Sequence, residues 1–136
     1  MNEEFFGDVA IGLYKDKIVQ VRHPEEWQGE DTLEVAKEVM DGIKRYVGTE
    51  PKGLLIIGPS TYKNKEVLDY YNQRDVNEVA RALITPSFAA KVFGNMYLKL
   101  AKNKKNEIGR HVPTKLFADK EKGVLWLYEQ IKNSAS

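Results

Sequence analysis

The chain has 136 residues, 42% of them hydrophobic and 30% charged, with 21 Lys/Arg against 20 Asp/Glu and no cysteine. Domains commonly run about 100–150 residues, so residues 1–136 are expected to form one domain with its own core. The missing cysteines exclude disulfides, thiol catalysis and Cys-ligated metal, and His23 and His111 are too few for a histidine-rich site.

In chain order, residues 8–22 read as a hairpin. Val9, Ile11 and Leu13 alternate with smaller or polar residues, Ile18, Val19 and Val21 form a β-branched run, and Lys15-Asp16-Lys17 is the turn between them. Residues 23–31, with Pro24, Trp27 and Gly29, read as a loop. Asp31 and Glu34 have capping-box spacing, and Leu33, Ala36, Met40, Ile43 and Val47 then recur at helical steps up to a terminating Gly48. The unbroken run Leu54-Leu55-Ile56-Ile57, between Gly53 and Gly58-Pro59, predicts a central strand covered on both faces.

A short helix over 63–72 carries Val67, Leu68 and Tyr71, and Val79–Ile84 is the next strand. Ser87 is placed to cap a helix over 88–102, a basic linker occupies 103–112, and Pro113–Phe117 makes a last strand. Asp119 then caps a helix with Val124, Leu127, Tyr128 and Ile131 on one face. The order ββ-α-β-α-β-α-β-α predicts an α/β fold: an N-terminal hairpin, then alternating strands and helices, giving a mixed sheet with helices packed on it.

The near-neutral total hides an uneven distribution. Residues 1–60 hold 7 Lys/Arg and 12 Asp/Glu, whereas residues 86–136 hold 10 and 4. Lys99, Lys102, Lys104, Lys105 and Arg110 crowd the end of the third helix and the linker after it. Lysines there suit the negative end of a helix dipole, and a basic patch also suits an acidic protein or a lipid headgroup. The linker has no interleaved aromatics, which argues against nucleic acid. The acidic opening Met1-Asn2-Glu3-Glu4 is unlike a secretory signal, and no apolar run approaches the ~18–20 residues of a membrane span, so a cytoplasmic protein is expected.

Gly53 and Gly58 have the spacing of phosphate-loop glycines, but Pro59 stands where the lysine should and the residues between belong in a sheet. Glu25-Glu26, Glu30-Asp31 and Asp69 read as solvated carboxylates, and both histidines as surface residues. No catalytic residue, metal site or cofactor is indicated. Phe88, Phe93, Met96, Tyr97 and Leu100 share a face of the third helix that packs as core, or else receives a lipophilic ligand or a second copy of the chain.

Residues 82–98, Ala-Leu-Ile-Thr-Pro-Ser-Phe-Ala-Ala-Lys-Val-Phe-Gly-Asn-Met-Tyr-Leu, are followed by Pro113-Thr114-Lys115-Leu116-Phe117-Ala118-Asp119 and then Trp126-Leu127. This pattern, over about residues 80–128, resembles the small bacterial proteins of the SpoIIAA-like class, also described as STAS/SEC14-like domains. Gly123, where alanine is common, and the longer linker at 103–112 depart from it. The resemblance implies a mixed sheet backed by helices and a non-catalytic module that binds a protein partner. Anti-sigma-factor antagonists of that kind carry a phosphorylated Asp-Ser pair after the central strand. Here Ser60 and Thr61 are the nearest candidates for a regulatory phosphosite, without the Asp-Ser pair. The SEC14-like side of the class implies the alternative, a lipophilic or anionic small ligand.

Overall fold

A computed structural model describes residues 2–23, 32–58, 65–85, 91, 95, 98, 99 and 105–134, apart from the side chains of Lys65 and Leu68. Strands β1 (Glu3–Phe6), β2 (Val9–Lys15) and β3 (Ile18–Arg22) form an antiparallel meander. Phe6 and Val9 close the first turn, in which Gly7 has φ +60° and Asp8 does not turn positive. That places glycine where a type II′ turn requires it. Strand β1 was not foreseen, because Glu-Glu-Phe-Phe shows no alternation. Tertiary contact makes it a strand: the Phe6 ring fills the space that a side chain at Gly42 would need.

Helix α1 (Leu33–Val47) buries Ala36, Val39, Met40, Ile43 and Val47. Its cap is Thr32 rather than Asp31: Thr32 Oγ1 accepts the Val35 N–H at 3.2 Å. At the other end Gly48, at φ +63°, donates its N–H to Lys44 O. Strand β4 (Gly53–Ile57), helix α2 (Lys65–Gln73), strands β5 (Arg81–Ile84) and β6 (Thr114–Phe117) and helix α3 (Lys120–Ser134) follow. Residues 91, 95, 98 and 99 are helical, within the helix expected over 88–102.

The six strands lie in sequence order, β1 to β6, with β3 to β6 mutually parallel. Among the described residues the fold is therefore mixed α/β, a six-stranded mixed sheet with helices α1, α2 and α3 packed on it. Strand β4 pairs on both sides, which explains its unbroken apolar run. Leu54 packs in one core with Val19, Val21, α1 and α2, and Leu55 packs in the other with Ile18, Ala82 and α3. Burying each such side chain contributes about 1.5–3 kcal/mol. β5 starts two residues later than Val79, because Val79 and Ala80 bond to the chain around β4 before the regular ladder begins at Leu54↔Arg81.

Helix α3 lies close against the sheet. Leu127 reaches the bare backbone of Gly53, and Gly123 of the helix faces Ile84 and Ala82. Asp119 Oδ1 accepts the Glu121 N–H at 2.9 Å, the capping role expected of it.

Candidate functional site

In open parallel sheets, ligands and partners commonly meet the carboxyl ends of the strands. There β3 runs into His23, β4 into Gly58 and β5 into Thr85. His23 N–H donates to Ile57 O at 3.1 Å, Gly58 N–H to Ile84 O, and Thr85 N–H to Phe117 O at 2.9 Å, so the ladder extends one residue past each strand. Gly58 turns the chain away at φ +75°. The sequence then continues to Ser60 and Thr61 on one side and to Phe88 on the other; all three lie outside the described residues.

His23 corrects an expectation. It is not a surface residue: only 7% of it is exposed, and its Nδ1 lies 3.4 Å from Ile57 O. A carbonyl facing Nδ1 suits the tautomer with its proton there. Burial pushes the imidazole pKa down to about 4, against a smaller opposing effect of the Ile57 carbonyl. The ring is therefore neutral near pH 7. His111 is exposed.

At the opposite end of β5 lies a charge cluster that the linear pattern does not reveal. Glu78 is 0% exposed and Arg81 5%, and Arg81 Nε donates to Glu78 at 2.6 Å. Arg110 Nη2 donates to Asp75 at 2.7 Å and to Glu78 at 2.9 Å, and Asn106 Nδ2 donates to Asp75 at 2.8 Å. Arg74 joins Tyr70 and Asp41, and approaches Glu107. Burial works to raise the Asp75 pKa, but the Arg110 guanidinium, Asn106 and the Asn77 N–H outweigh it and hold the carboxyl below its ordinary value. These groups tie the 105–110 turn to the connection between α2 and β5.

Of the basic residues grouped from sequence, Arg110 thus turns to buried carboxylates, whereas Lys99 and Lys105 are exposed and Lys102 and Lys104 lie outside the described residues. Phe88, Phe93, Met96, Tyr97 and Leu100 also lie outside them. Arg74, Asp75, Glu78 and Arg81 follow no strand period around the buried Val76 and Ala80, so the sequence carried no signal for the cluster. Among the described residues no group of three or more His, Asp or Glu is placed to hold a metal ion, and no helix is long and apolar enough to cross a membrane.

A family model described as a domain of unknown function, DUF7793, matches residues 14–131, from the end of β2 through most of α3. The chain belongs to that family. Neither the curated proteins nor the solved structures yield a match.

Proposed function

We propose that the protein is a cytoplasmic, non-catalytic interaction module of the STAS-like class. It would bind a protein partner through α2, the helix after the central strand, and the neighbouring 86–111 region. Ser60 and Thr61, next to that side in sequence, are its candidate regulatory phosphosites.

One observation supports the reading: the described parts of the segments that bear the resemblance, residues 82–85, 113–119 and 126–127, pack together. Residues 114–117 of the Pro-Thr-Lys-Leu-Phe segment are the edge strand β6, Asp119 caps the following helix, and the Phe117 and Trp126 rings stand 5.6 Å apart beneath it. Leu127 beside Trp126 is fully buried against Gly53. The described motif residues thus meet in space, and the mixed sheet with helices packed on it agrees with what the resemblance implies.

Affinity purification from the organism that encodes the protein tests this reading, followed by reverse capture and titration of the purified pair. A defined partner whose binding weakens in Lys91→Glu/Lys99→Glu, both residues exposed and helical, supports it. Repeated recovery of no partner, with native mass spectrometry showing a small lipophilic or anionic molecule on the purified chain, would replace it with the ligand-binding alternative.

A further inference from the structure

Strand β1 ends the sheet, and it is held there more firmly than four residues of hairpin require. Glu3 pairs with Arg22 through two hydrogen bonds of 3.0 and 3.2 Å. Glu4 accepts from Tyr46 and lies 3.5 Å from Arg45. The Phe6 ring seats on Gly42. Phe5, on the other face, is 63% exposed. The hydrogen-bonded partners alternate along an antiparallel pair, and the two-residue turn makes Phe6 and Val9 one such pair. Glu3 and Phe5 therefore present their backbone N–H and C=O groups to an edge that no described strand covers.

Edge strands are commonly protected from pairing by charged side chains, proline, bulges or a covering segment. Both glutamates here have cationic partners within the chain, and the remaining side chain is an exposed aromatic. We infer that β1 is a self-association edge, which pairs antiparallel with β1 of a second copy about a two-fold axis at Phe5. In that register Phe5 meets Phe5 of the other copy, and their backbones exchange two hydrogen bonds. Glu4 of one copy lies opposite Phe6 of the other, on the α1 face. Arg45 stands 5.6 Å over the Phe6 ring with its side chain 63% exposed, so each Glu4 gains the other copy's Arg45 as a second cation. The arrangement is self-complementary in charge, as a two-fold contact must be. Four residues bury far less than the ~1,200 Å² of a standard interface, so the dimer is weak and concentration-dependent. This inference does not rest on the function proposed above.

Sedimentation over a wide concentration range tests it, with Phe5→Pro as the variant. Proline removes an outward N–H and leaves the β2 ladder intact. The wild-type mass should rise from one chain to two, and Phe5→Pro should stay at one chain with an unchanged circular-dichroism spectrum. A wild type monomeric throughout, a dimer that persists in Phe5→Pro, or growth beyond two copies would each overturn the proposal. If Phe5→Pro does not fold, wild-type amide exchange decides: slower exchange at Glu3 and Phe5 as concentration rises supports the edge, and rates independent of concentration overturn it.

Discussion

Replacing His23 by asparagine removes a titrating ring while keeping an amide N–H near the position of Nδ1, facing Ile57 O. The folded imidazole has a pKa of about 4 against 6.5 for the free side chain. Between those values the unfolded chain binds a proton that the native chain does not, so wild-type stability rises with pH across the window and falls as pH drops. At about 1.4 kcal/mol per pH unit, the full difference is about 3 kcal/mol, and most of it is lost by roughly pH 4.5. Urea denaturation of both proteins at several pH values measures the effect. The wild type should lose about 2–3 kcal/mol more than His23→Asn between roughly pH 7 and pH 4.5. Parallel pH curves for the two proteins would refute a buried, neutral His23.

The same denaturation assay tests the buried charges: Glu78→Ala removes the buried carboxylate that pairs with both Arg81 and Arg110 and should cost about 3–5 kcal/mol. Asp41→Ala breaks a pair in which the aspartate is 64% exposed and should cost less than about 1 kcal/mol. Equal costs would contradict the assignment of Glu78 as the core of the network. Gly53→Ala would set its methyl 3.0 Å from Leu127 Cβ and Cδ2, and should lower stability by about 1–3 kcal/mol. Gly123→Ala would crowd only the flexible end of a side chain, Ile84 Cδ1 at 2.9 Å, and meets Ala82 and Phe117 at an ordinary 3.5 Å. It also gains helix propensity, so thermal melts should show a change under about 1 kcal/mol. Equal damage from both alanines would refute the close α3 packing on Gly53.

The elements that read well from sequence are those whose burial follows a simple period. The Leu54–Ile57 run marked the central strand, and the stripe from Ala36 to Val47 marked α1. β1 was illegible because its strand character comes from Gly42 and two arginines distant in the chain. Asp31 is the stronger cap by residue type, and only the backbone geometry shows Thr32 in that place. His23 looked superficial beside Pro24, yet the parallel pairing with β4 draws it inward. Arg110 sat among lysines in the sequence but crosses to Asp75 and Glu78, 35 and 32 residues earlier. The candidate site was legible mainly as a place, the segments that follow β4 and β5.

The most direct test of the proposed interaction module is hydrogen–deuterium exchange of the chain with and without its purified partner. The account predicts slower exchange on binding across α2 and the 86–111 region. Protection confined to the outer face of α3 or to the meander of β1 to β3, with α2 unchanged, would contradict it.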